Sequence, residues 1–197
     1  MNILAHACLS EHNEDWLIGN FIGDFIKGNP ASERHGLEPG IVAGVRLHRA
    51  IDTFTDDHPD VAAVRDLLHL RCHKYAGVAV DVFFDHFLAT QFAALMGEPL
   101  ETFTTYVYST LQQNSHRMPL QAVPMLNGMV RYDWLMSYQA LDGIDRSLKG
   151  ISRRTAYASG LDTAIVDLEL HYKFIGDRFN HFWPQLAAHA EEVGRHL

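Results

Sequence analysis

Cysteine is nearly absent from this chain: Cys8 and Cys72 are the only two in 197 residues. That is too few for a disulfide framework, and neither belongs to a CxxC pair, so a reducing compartment is expected. Basic charge is scarce as well. Sixteen Lys and Arg stand against 24 Asp and Glu, a net charge of −8, so neither nucleic acid nor an anionic membrane is an expected partner. No window approaches the roughly 18 uninterrupted apolar residues of a membrane span. The start, MNILAHACLS, lacks a basic region and reaches His6 before any apolar run long enough for a secretory signal, so a cytoplasmic location is expected. Internal repeats, low-complexity tracts and linkers are missing too. What remains is 47% hydrophobic, enough for a single continuous core and one domain.

Helical periodicity dominates, and breakers cut the chain into segments of ordinary helix length. Trp16, Phe21 and Phe25 suggest one helix that ends near Gly28-Asn29-Pro30, followed by a polar loop over 31–38. A second helix starts near Pro39, which suits a first turn, and must stop before Pro59 because a residue preceding proline is pushed out of the helical region. Asp60 is placed to cap a helix over 61–72. The apolar stretch from Tyr75 to Met96 reads as one long helix closed by Gly97-Glu98-Pro99. Its VAVDVFF portion resembles a buried strand, but length and the lack of turn signals favour helix. Further helices are expected at 100–115, 119–138, 143–158 and 161–183, with Pro184 bending or ending the last before 185–195. The predicted fold is an all-α helical bundle.

Acids on apolar faces carry the chemical signal. Ile41, Val45, His48 and Asp52 are spaced by four, three and four, so they share one helical stripe, with Asp56 a turn further on. Val78, Asp81, Asp85 and Leu88 make a similar stripe, and carboxylates at i and i+4 repel unless a positive group lies between them. Asp24 is a third case, set between Phe21 and Phe25. An ionised carboxylate in a dry site must be paired, protonated or metal-bound. Convergence of His48, Asp52, Asp81, Asp85 and Asp24, with His6 and His86 as further candidates, would give imidazole and carboxylate ligands without thiolate. Such a set suits Mn, Mg or Fe better than a structural zinc. A hard divalent cation acidifies bound water and bridges phosphate oxygens, the equipment of phosphoester hydrolysis. Lys27, Arg49 or His58 would then neutralise a phosphate or donate to its leaving group.

A plainer account stands beside this one. His48 with Asp52 is also an ordinary solvated pair, and Asp81 and Asp85 could be matched by Arg46, Arg49 or Lys74 as buried ion pairs. Asp56, Asp57 and His58 fit a helix end and turn. Phe83, Phe84, Phe87 and Phe92 read as core, and the remaining histidines and both cysteines have no acidic or basic partner in the pattern.

In order along the chain, MNILAHACLS, GNFIGDFIKG, LHRAIDTFTDDHP and DVFFDHFL resemble the acyl carrier protein phosphodiesterase family, most densely over about the first ninety residues. That family is regarded as a divergent branch of the HD phosphohydrolases. The resemblance implies an all-α enzyme that hydrolyses the phosphodiester joining 4'-phosphopantetheine to a serine of holo-acyl carrier protein, with Mn2+ as metal and Mg2+ or Fe2+ as alternatives. No His here is followed directly by Asp. The nearest substitutes for the doublet are His48 with Asp52 and the reversed pair Asp85-His86.

From the inward-facing acids, the expected metal ligands are His48, Asp52, Asp81 and Asp85, joined by His6 and Asp24. His86 or Lys27 is expected to assist the leaving oxygen. An acidic carrier would need a local basic surface, for which Arg46 and Arg49, followed by Arg65, Arg71 and Lys74, lie nearest in sequence, with Lys149, Arg153 and Arg154 as a second group. Two other functions fit the pattern: a phosphohydrolase of nucleotides or other small phosphoesters, and a non-catalytic helical binding protein whose inward acids are structural.

Overall fold

The computed structural model describes residues 1–197, which form α-helices and short 3-10 turns with no strand. The first two helices are short. Helix α1 (Ile3–Cys8) has no side-chain cap of its own, whereas α2 (Glu14–Ile22) is capped by Asn13, whose side chain accepts from the Trp16 N–H. A 3-10 turn over Gly23–Phe25 ends α2 earlier than the aromatic spacing suggests. Helix α3 (Pro39–Asp57) follows the polar loop and begins on its proline.

His58 is extended, at φ −78 and ψ 134, as a residue before proline must be. It ends α3 and caps α4 (Pro59–Cys72), its imidazole accepting from the Asp60 N–H. Asp60 therefore is not the cap that its position suggested. It is buried in the first turn of α4, where its carboxylate receives Arg178 at 3.0 Å and His181 at 2.5 Å.

The long apolar stretch is α5 (Ala76–Thr90) and α6 (Phe92–Met96), separated at Gln91. Helix α7 (Leu100–Gln113) occupies its expected place. The expected helix over 119–138 is two pieces, α8 (Val123–Arg131) and α9 (Trp134–Ser137), and α10 (Leu141–Ser152) ends before 158. The last region divides at His171 into α11 (Ile165–Leu170) and α12 (Tyr172–Gly194). Pro184 lies inside α12 and does not end it, because the partners of Phe179, Phe182, Trp183 and Leu186 in the core hold the helix through the missing N–H.

The helices enclose one hydrophobic core whose buried residues run from Met1 to Ala190. The placement that matters for the site is α2 along α3, with α1 wedged between α2 and α5. Two glycines allow it. A Cβ on Gly19 would stand 2.4 Å from the Ile41 carbonyl oxygen, and one on Gly44 would stand 2.6 Å from that of Trp16. With any side chain at either position, the two backbones could not approach this closely.

Candidate metal centre

Three of the residues expected from the sequence meet at the junction of α1 and α3. His6 Nε2 lies 3.1 Å from one oxygen of Asp52, and His48 Nε2 lies 3.1 Å from the other. The two imidazoles are stacked, with centroids 4.2 Å apart and planes at 23°. His6 and His48 are buried, while Asp52 keeps part of its carboxylate open to solvent. Asp24, on the turn after α2, stands exposed with an oxygen 3.6 Å from His48 Nε2. The i, i+4 stripe on α3 thus delivers His48 and Asp52 as predicted.

A chain of hydrogen bonds fixes the protonation of His6. The carbonyl oxygen of His6 can only accept, so the Ser10 hydroxyl, 2.9 Å away, donates to it. Ser10 Oγ then accepts from the Asn20 amide nitrogen at 2.9 Å. This turns Asn20 Oδ1 toward His6 Nδ1 at 3.1 Å, and that nitrogen must carry the hydrogen. Burial lowers the pKa of His6 and keeps the ring neutral. Its Nε2 therefore aims a bare lone pair at the carboxylate of Asp52. Two electron-rich atoms at that separation call for a cation between or beside them. Two imidazole nitrogens and a carboxylate, with no thiolate, fit a divalent transition metal, and these three side chains can each offer a ligand atom to one ion.

The charges are strongly biased. Burial alone would lower His48, but the carboxylates of Asp24 and Asp52 outweigh it and raise the imidazole to about 9. Burial pushes Asp52 upward, yet the hydrogen bond and charge of His48 hold it well below the usual carboxylate range. Asp24 is lowered by His48. His48 Nδ1 is buried without a hydrogen-bond partner. The ring lies against Gly23, where a Cβ would come within 2.3 Å of it. The cluster opens into a cavity of about 240 Å3 lined also by Leu17, Phe21, Val107 and Leu111.

The other expected site residues are engaged by other partners. Asp85 is wholly buried outside the cluster, and its two oxygens accept from the backbone N–H groups of Leu4 at 2.9 Å and Ala5 at 3.3 Å. It is the missing cap of α1, supplied from α5. Asp81 borders the cavity but pairs with the Met1 ammonium at 3.1 Å. Neither acid is matched by Arg46, Arg49 or Lys74. His86 donates from Nδ1 to the Tyr138 carbonyl at 2.7 Å and accepts the Tyr172 hydroxyl at 2.9 Å, away from the cavity.

Lys27 is exposed and does not line the cavity; its carbonyl oxygen receives His35 and Arg34. Arg49 is no free docking group either, because its guanidinium donates to the carbonyls of Ile26 at 2.7 Å and Gly28 at 2.8 Å. Arg46 is exposed. The residues that sequence reasoning missed are Ser10 and Asn20. Neither carries charge or periodic spacing to mark it, although Asn20 falls in the GNFIGDFIKG stretch.

A sequence model described as acyl carrier protein phosphodiesterase matches residues 1–186. The chain is 32% identical over 191 residues to the acyl carrier protein phosphodiesterase of Shigella boydii serotype 4 (strain Sb227), and equally to that of Escherichia coli (strain K12 / DH10B). It is 31% identical to the protein of the same name from Salmonella agona (strain SL483). Each match covers 96% of this chain and 97% of the relative. No solved structure matches the chain at a significant level.

Proposed function

Because the chain belongs to the acyl carrier protein phosphodiesterase family, we propose that it hydrolyses the phosphodiester between 4'-phosphopantetheine and a serine of holo-acyl carrier protein. The products are the apo carrier protein and free 4'-phosphopantetheine. The observation that carries this reading is the pair of imidazole Nε2 atoms held 3.1 Å from opposite oxygens of Asp52. His6, His48 and Asp52 would hold a divalent cation, manganese in this proposal, with Asp24 at the mouth as a fourth donor. A cation bound there supplies an acidified water and neutralises phosphate oxygens.

The chain's own groups prepare that chemistry. The Ser10–Asn20 relay keeps the His6 lone pair outward. The lowered pKa of Asp52 keeps it anionic throughout the working pH range. Asp24, exposed beside His48, stays anionic at the mouth of the site because His48 lowers its pKa. Because this arrangement uses His48 and Asp52 one helical turn apart, kinship with the HD phosphohydrolases would be a relation of chemistry with a differently spaced ligand pair. The test is incubation with holo-acyl carrier protein and manganese, with and without chelator, followed by intact-mass analysis of the carrier. Metal-dependent loss of the phosphopantetheine mass is expected; an unchanged carrier would overturn the reading.

A further inference from the structure

The cavity at the metal centre does not end there. Asn2, Ile3, Asp24 and Met125 line both it and a larger cleft of about 580 Å3 that extends over α9 and α10. Three arginines, Arg146, Arg153 and Arg154, line this second cleft, and all are exposed. None is paired with a carboxylate, whereas Lys149, on α10 with Arg146, is tied to Asp145 at 2.5 Å. On a chain of net charge −8, an acidic partner is repelled by most of the surface, and a cleft of unpaired arginines is where it can approach.

A phosphodiester whose two ends differ in size must lie in this bent space one way round. A folded protein cannot enter a cavity of about 240 Å3, so when phosphorus sits at the cluster the protein end must lie outside, across Asp24. That is the side of the arginines. Arg49, favoured by sequence proximity, is engaged with backbone carbonyls, and Arg46 lines none of the main cavities. Resting on the hydrolase reading above, we propose that the acidic face of the carrier protein docks on Arg146, Arg153 and Arg154, with Asp24 marking the point where its modified serine crosses into the metal cavity.

Binding of fluorescently labelled apo-acyl carrier protein, which has no bond to cleave, tests this separately from catalysis. Arg146→Glu, Arg153→Glu and Arg154→Glu are each expected to weaken binding about fivefold or more, and added salt to weaken it further. Arg46→Glu changes the net charge equally and is expected to leave affinity within about twofold. An equal loss from Arg46→Glu, unchanged affinity in the three cleft variants, or no binding by the unaltered protein would each overturn the docking surface. Binding that depends on the cleft arginines without any hydrolysis of the holo carrier would keep the surface and reject the hydrolase reading. Melting temperatures within a degree or two of one another are expected for these exposed substitutions, which separates docking from folding.

Discussion

His6 and His48 stack face to face while reaching opposite oxygens of the single carboxylate of Asp52. Two imidazoles so close do not both hold a proton easily, and the structure divides the roles: His6 is neutral and His48 charged. A divalent cation would replace the proton of His48 as partner of Asp52 and meet the lone pair of His6. Alanine at His6, His48 or Asp52 is therefore expected to lower manganese affinity by more than about 100-fold, beyond the effect usual for an outer-shell residue. Titration calorimetry checks this, and full stoichiometric binding by all three variants would place the metal elsewhere.

Ser10 and Asn20 are expected to matter without touching metal or substrate. Asn20→Leu removes the acceptor that holds the His6 Nδ1 hydrogen, leaving the ring free to change tautomer and tilt. Manganese affinity should fall about 10–100-fold. Asn20→Asp keeps an acceptor and should lose less. A calorimetric titration in which Asn20→Leu binds as tightly as the unaltered protein would remove the relay from the account.

Asp85 links burial, pH and the site. Burial raises its carboxyl to about 7, so the folded chain holds this proton at pH values where the unfolded chain has released it. Its contribution consequently makes stability fall as pH rises from about 4 to about 7 and level off above. Asp85→Asn should flatten that slope in urea denaturation. Asp85→Ala leaves the Leu4 and Ala5 N–H groups buried without acceptors and should cost about 3 kcal/mol.

Gly23 offers a way to break the centre without altering any polar group. A Cβ there would stand 2.3 Å from the His48 ring, so the ring or the turn must shift to admit it. Gly23→Ala is expected to displace His48 and cost about 1–3 kcal/mol by overpacking, with loss of tight manganese binding. Retention of both stability and affinity would show that the turn can move aside.

Much of α3 was legible because its signals are local. Pro39 and Pro59 set its ends, and the spacing of Ile41, Val45, His48 and Asp52 declares which side chains turn inward. The same spacing argument brought Asp85 inward correctly but could not say what it meets there, since the partners are N–H groups eighty residues earlier in the chain. Breaks at Gln91 and His171 contain no glycine or proline and had no local mark. Helix α1 is too short for periodicity to register. Asn20 was invisible for a different reason: its role lies in the orientation of an uncharged amide, and only three-dimensional neighbours determine that.

Six residues make a poor helix on their own, since nucleation is costly and isolated helices shorter than about 12 residues are marginal in water. Helix α1 persists because Asp85 receives its first free N–H groups. During synthesis His6 leaves the ribosome long before Asp85 exists, so it must wait for about eighty further residues before it has a fixed address. The centre is thereby an assembly completed late, and a nascent chain truncated before α5 would carry every member of the cluster without being able to hold His6 in it.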